Sequence, residues 1–157
     1  MNSIIIYTTK YGSVEKVAEM LKSKLNGTVR LVNLTKDQAP NLSEFDTVIL
    51  GGSIYVGKVQ KTLTNYISAN LPMLLQKRVG LFICAAQPEP VRSQELEQAY
   101  PVDLFNHALA KEVFGHEFNF QKLSFIHKII VRKLVGVSET VSELSEEKIE
   151  QFAKALS

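Results

Sequence analysis

The sequence predicts an α/β protein, an open parallel sheet covered by helices on both faces, and three observations carry that expectation. Short runs rich in β-branched residues alternate along the chain with segments whose apolar residues recur at helical spacing. The first and fourth of these runs are apolar almost throughout rather than at every second position, as strands buried on both faces are. The first run also leads through a hydroxyl-rich turn directly into a helical pattern, the arrangement expected of a strand–helix unit.

Taken in order, Ser3–Tyr7 reads as the first strand. Val14, Val17, Ala18, Leu21 and Leu25 mark a helix ending at Asn26-Gly27. Thr28–Asn33 reads as a second strand, and Asp46–Leu50, running into Gly51-Gly52-Ser53, as a third. Leu63, Tyr66 and Ile67 give Val59–Asn70 helical spacing, and Arg78–Cys84 is a fourth strand. Gln87-Pro88-Glu89-Pro90 breaks the chain. Two short helical pieces separated by Pro101 lead to a fifth strand near Lys111–Phe118. Leu123–Val135 is a helical pattern, and Ser145-Glu146-Glu147 is a hydroxyl cap with two acids that opens a last helix to Leu156.

Length and composition bound the rest. With 157 residues, 45% hydrophobic and 22% charged, residues 1–157 fit one domain with a substantial core. No apolar run approaches the roughly 18 residues of a membrane span, and the N-terminal isoleucines lack the flanks of a signal peptide. Cys84 is the sole cysteine, which excludes an intrachain disulfide and a cysteine-rich metal site and points to a reducing, cytoplasmic setting. A net charge of +2 is too weak to imply nucleic acid.

In an open α/β sheet, ligands sit beyond the carboxyl ends of the strands. Three turns would end there: Thr8–Ser13, Gly51–Lys58 and Ala85–Pro88. In the first, Thr8, Thr9, Lys10, Tyr11, Gly12 and Ser13 precede a helix whose free N–H groups and dipole favour an anion. Ser13 serves equally well as a simple helix cap. In the second, Gly51, Gly52 and Gly57 would let backbone approach a flat ring. Tyr55 would stack on that ring or else pack on a helix.

These paired turns carry a resemblance. Tyr7-Thr8-Thr9-Lys10-Tyr11-Gly12-Ser13, followed by Gly51-Gly52-Ser53-Ile54-Tyr55-Val56-Gly57, resembles the flavodoxin-like family over essentially the whole chain. It is most similar to the menaquinone-dependent protoporphyrinogen oxidase branch and its flavodoxin-domain relatives. The resemblance implies a three-layer α/β/α fold with a five-stranded parallel sheet in the order 2-1-3-4-5, and FMN as the cofactor. It implies that Thr9, Tyr11, Gly12 and Ser13, with Thr8 and Lys10 in the same turn, surround the phosphate. Ser53, Ile54, Tyr55, Val56 and Gly57 would border the isoalloxazine ring, with Ala85, Ala86 and Gln87 on its other side.

Two departures stand out. Val14 occupies the position where the turn usually ends in Thr, removing one hydroxyl donor, and Ala85-Ala86-Gln87-Pro88 offers no aromatic to cover the ring. An open ring face suits oxidation of a substrate, and a sequence pI near 8.6 suits anionic partners better than it suits an acidic electron carrier. The resemblance therefore implies an FMN-binding oxidoreductase similar to the quinone-linked protoporphyrinogen IX dehydrogenases of heme biosynthesis, with a quinone or a redox protein as partner. The alternatives are a small electron-transfer flavodoxin without a substrate of its own, and a domain that has lost FMN and acts as an interaction protein. No side chain is expected to act as general base, and chemistry would rest on the cofactor.

On the Leu123–Val135 helix, Phe125 and Ile129 fall among Lys122, Lys128, Arg132 and Lys133. That pattern predicts either peripheral contact with the inner face of a membrane or packing of the two apolar residues under a loop. His127 is expected to be a buried, hydrogen-bonded histidine. His107 and His116 have no partners at metal-ligand spacing. Cys84 is expected to be packing, and Glu89, Glu95 and Glu97 a solvated helical face.

Overall fold

The computed structural model describes residues 1–115, 117–118, 141–142 and 144–157. Strands β1 (Asn2–Tyr7), β2 (Thr28–Asn33), β3 (Thr47–Ser53), β4 (Arg78–Cys84) and β5 (Ala110–Phe114) form a parallel sheet in the order β2-β1-β3-β4-β5. Helix α1 (Ser13–Lys24) connects β1 to β2, and α2 (Lys61–Leu74) connects β3 to β4. Helices α3 (Val91–Ala99) and α4 (Val102–His107) lead from β4 to β5, and α5 (Glu146–Leu156) closes the chain. This is the flavodoxin-like α/β fold, with the strand order the resemblance implied.

Alternation along the strands builds two cores. Ile4 and Ile6 of β1 point to a largely aliphatic layer with Leu50, Leu63, Ile67, Leu81, Leu96 and Leu104 under α2, α3 and α4. Ile5 and Tyr7 point to the opposite layer, under α1 and α5, with Val17, Leu21, Ile49, Phe152 and Leu156. There Phe82, Phe114 and Phe152 meet edge to face, with centroids 5.5, 6.1 and 5.7 Å apart. Tyr100 hooks the other layer to the sheet: its buried hydroxyl donates to the Phe82 carbonyl at 2.6 Å, with the Leu50 carbonyl at 3.2 Å.

Several boundaries match the sequence closely, among them β2, β4 and the α3–α4 pair divided by Pro101. Ser145 caps α5 as expected, its Oγ accepting from the Lys148 N–H at 3.3 Å. The fifth strand differs. It covers Ala110–Phe114 only, and Glu117–Phe118 (β6) pairs antiparallel with Val141–Ser142 (β7) in a separate two-stranded sheet. Gly51 and Gly52 are not loop residues either but the buried end of β3. A Cβ on Gly51 would lie 2.1 Å from Phe82 Cζ, and one on Gly52 2.9 Å from Leu63 Cδ2. Packing inside the sheet, not approach to a ring, requires glycine at both. The Leu123–Val135 pattern, with Phe125, His127, Lys128, Ile129 and Arg132, lies outside the described residues, as does His116.

Candidate functional site

The chain leaves β1 for β2 on one side and continues from β3 toward β4 on the other, so the carboxyl ends of β1 and β3 flank the topological switch point. The turn after β1 begins at Thr8, whose N–H donates to the Gly51 carbonyl at 3.1 Å and continues the β1–β3 pairing. Thr9 Oγ1 accepts from the Gly12 N–H at 3.0 Å, which folds the turn back on itself and leaves the Thr9 proton available to donate. Gly12 occupies the N-cap of α1 at φ 95°, a left-handed conformation suited to glycine. No atom lies within 4 Å of where a Cβ on Gly12 would stand. Ser13 is therefore not the cap; it is the first residue of α1 and is buried. Val14 is fully buried among Ile5, Val17 and Leu21, so its side chain serves the core and faces away from the turn.

The loop after β3 makes a tight hairpin. Tyr55 N–H donates to the Lys58 carbonyl at 2.9 Å, and Lys58 N–H returns a bond to the Tyr55 carbonyl at 3.2 Å. The two residues between them have positive φ, 51° at Val56 and 78° at Gly57. This is the paired left-handed geometry of a type I′ turn, which favours Asn-Gly. A β-branched residue there is strained, and Val56 is also 69% exposed. Ile54, by contrast, packs against the aliphatic core.

The structure joins these two loops. Lys10 N–H donates to Ser53 Oγ at 3.2 Å. Lys10 Nζ sits 4.8 Å from the Tyr55 ring centroid, and the Tyr11 and Tyr55 rings meet edge to face at 6.4 Å. Burial and the neighbouring Tyr55 push the Tyr11 phenol up to about 12, so it stays protonated at neutral pH. Stacking of a planar group on Tyr55 competes with Lys10 for that face.

Thr8 departs from its expected role. It is fully buried, and its hydroxyl donates to Gln60 Oε1 at 2.8 Å. Gln60 is a residue the sequence reading did not single out, although it stands two residues beyond the loop's lysine. Ala85 also turns inward, buried in the aliphatic core, whereas Ala86 and Gln87 are half-buried. Their loop is held by a second unanticipated residue. Arg92 Nε donates to the Gln87 carbonyl at 2.9 Å and Arg92 Nη2 to the Ala85 carbonyl at 3.4 Å. Only the fold, by turning α3 back over this loop, makes such a contact visible.

Glu95 corrects another expectation: rather than lying on a solvated face it is buried. Desolvation raises its carboxyl above the usual range against the opposing effect of Arg92. Cys84 is buried and its thiol is pushed far up by burial, which keeps it a packing group. His107 Nε2 lies 2.7 Å from the Lys77 carbonyl. Among the described residues no group of His, Cys, Asp and Glu could hold a metal ion, and no helix is long and apolar enough to cross a membrane. A cavity of about 410 Å³ lies between residues 39–42 and Tyr66, Asn70 and Met73 of α2, and none of the candidate residues lines it.

Fold and loops together define a protein with a doubly wound parallel sheet and two joined loops at its switch point. The chain belongs to the flavodoxin-domain family, whose model matches residues 4–145. No curated protein matches it in sequence. Among solved structures it is similar to a flavodoxin from Streptococcus pneumoniae TIGR4 (17% identity, TM-score 0.64, 99% of this chain and 97% of that one). It is also similar to flavodoxin 2 from Bacillus cereus (18% identity, TM-score 0.63, the same 99% and 97%). A rubredoxin oxygen:oxidoreductase from Desulfovibrio gigas shares the fold at 15% identity and TM-score 0.54; the chain covers 36% of its length. At these identities the neighbours bear on fold alone.

Proposed function

We propose that the protein binds FMN at the crevice between the Thr8–Ser13 turn and the Ser53–Gly57 loop and acts in electron transfer. The observation that carries this reading is the contact between the two loops through Lys10, Ser53, Tyr11 and Tyr55 at the switch point. The residues fit the group. The open space beside Gly12 at the start of α1, the Thr9 proton and the helix N-terminus suit a phosphate, and the half-buried Tyr55 suits a flat ring. Bound there, FMN supplies one- and two-electron chemistry; the chain's residues hold the phosphate, orient the ring and limit water.

A substrate-oxidising role is the finer reading, with a reduced tetrapyrrole such as protoporphyrinogen IX as donor and a quinone as acceptor. It is supported by the absence of an aromatic from Ala85–Pro88 and by the charge of the first two loops. Those loops hold Lys10, Lys58 and the adjoining Lys61, all exposed, and no carboxylate. Propionates and acidic proteins are complementary to such a rim. Contact with an anionic membrane through Phe125, Lys128, Ile129 and Arg132 belongs to the same reading, and vesicle co-sedimentation tests it.

The deciding experiment is the visible spectrum of the purified protein with and without added FMN. Flavin absorbance that survives gel filtration is the expected result, and a protein that stays colourless after loading refutes the reading. Quinone-dependent oxidation of protoporphyrinogen by the loaded protein then separates an enzyme from a carrier.

A further inference from the structure

Gln60 stands at the N-cap of α2, yet its side chain makes no bond to that helix. It reaches back across the crevice instead. Its Oε1 accepts from Thr8 Oγ1 at 2.8 Å and from the Ser53 N–H at 3.4 Å, and its Nε2 donates to Ser53 Oγ at 3.0 Å. Ser53 Oγ also accepts from the Lys10 N–H at 3.2 Å. The directions are forced. Ser53 N–H can only donate, so the amide oxygen must face it and the NH2 must face the hydroxyl. With both Ser53 lone pairs filled, its proton is the one function left, and it must point away from the network.

We propose that Gln60 is the positioning residue of the site, with two separable effects. It ties the anion turn to the ring loop, so that occupancy of one is felt at the other. It also makes Ser53 an obligate donor toward an acceptor atom of the flavin. The inference rests on the flavin reading above and adds what this one side chain does within it. Two substitutions separate the effects. Gln60→Ala removes the Thr8–Gln60–Ser53 link and leaves the Lys10–Ser53 bond and the Tyr11–Tyr55 contact as the joins between the loops. Gln60→Glu keeps the link, because a carboxylate still accepts from Thr8 and Ser53 N–H, but it also accepts the Ser53 proton and turns that donor inward.

The test is a fluorescence titration of the full-length protein with FMN, with riboflavin, and with riboflavin in saturating inorganic phosphate. In the wild type, phosphate tightens riboflavin binding. In Gln60→Ala that tightening shrinks and FMN binds about tenfold more weakly, the scale of one or two lost hydrogen bonds. In Gln60→Glu the tightening persists while riboflavin itself binds about five- to tenfold more weakly. Thermal melts on each variant establish that the chain is folded, and the near-isosteric Gln60→Glu keeps the test valid if Gln60→Ala is not. Flavin binding by the wild type with the same phosphate effect in Gln60→Ala overturns the tether. Undiminished riboflavin affinity in Gln60→Glu overturns the donor role. Failure of the wild type to bind flavin in any form refutes the functional reading itself, and this inference with it.

Discussion

Gly51 and Gly57 lie in neighbouring stretches of chain, one inside β3 and one at the rim of the sheet, and glycine serves them for opposite reasons. At Gly51 the backbone is an ordinary strand and the missing side chain makes room for the Phe82 ring. At Gly57 there is open space around the position, and the conformation, φ 78°, is what favours glycine. The same division separates the two regions as wholes. The interior is fixed by volume, through aromatic and aliphatic contacts that tolerate no added atom. The rim is fixed by direction, through hydrogen bonds accepted by Thr9 and Ser53 and donated by Gln60 and Arg92, and through two left-handed residues in one hairpin.

Substitutions on the two sides of this divide should move different observables. Phe82→Ala is expected to have the largest effect, a loss of about 3–5 kcal/mol of stability, because it opens a cavity against Phe114 and Phe152. Denaturant unfolding measures it, and a loss below about 1 kcal/mol would show that the aromatic layer can collapse. Ser13→Ala, at the start of α1, should weaken FMN binding by about 1.5–3 kcal/mol through loss of a donor to an ionised phosphate. Titration with FMN checks this, and unchanged affinity removes Ser13 from the site. Gly51→Ala should destabilise by about 1–3 kcal/mol, since Phe82 must move aside. A thermal melt showing no loss would return Gly51 to a conformational role.

Val56→Asn should act in the opposite sense and stabilise the fold by about 1 kcal/mol, because asparagine adopts positive φ more easily. A melting temperature that falls instead would mean that the exposed valine makes contacts worth more than its strain. The smallest effect is electrostatic. The folded-state pKa of Glu95 is raised by burial, so the folded chain holds that proton more tightly than the unfolded chain does. Its contribution to stability is therefore fully present below the ordinary glutamate range and is lost as pH rises through the raised value. Glu95→Gln should raise the melting temperature at neutral pH, and the gain should shrink on acidification. A gain that is constant with pH would point to packing rather than ionisation.

The sequence alone was enough to determine the sheet, the approximate places of its five strands and the turns at the carboxyl ends of β1, β3 and β4. Burial on both faces writes a continuous apolar run, and a helix stop writes glycine or proline into consecutive residues. Those signals are local. The order β2-β1-β3-β4-β5 came from the resemblance rather than from periodicity, since pairing joins residues far apart in the chain. What the tertiary structure decided was which atoms face each other. Thr8 looked like a ligand donor and is committed to Gln60. Glu95 looked solvated and is buried once α3 packs against β4 and β5. Gly51 looked like a loop glycine and is a space-filling absence beneath Phe82. Each depends on a neighbour contributed by another element, and residue type and spacing carry no record of that neighbour until the chain has folded.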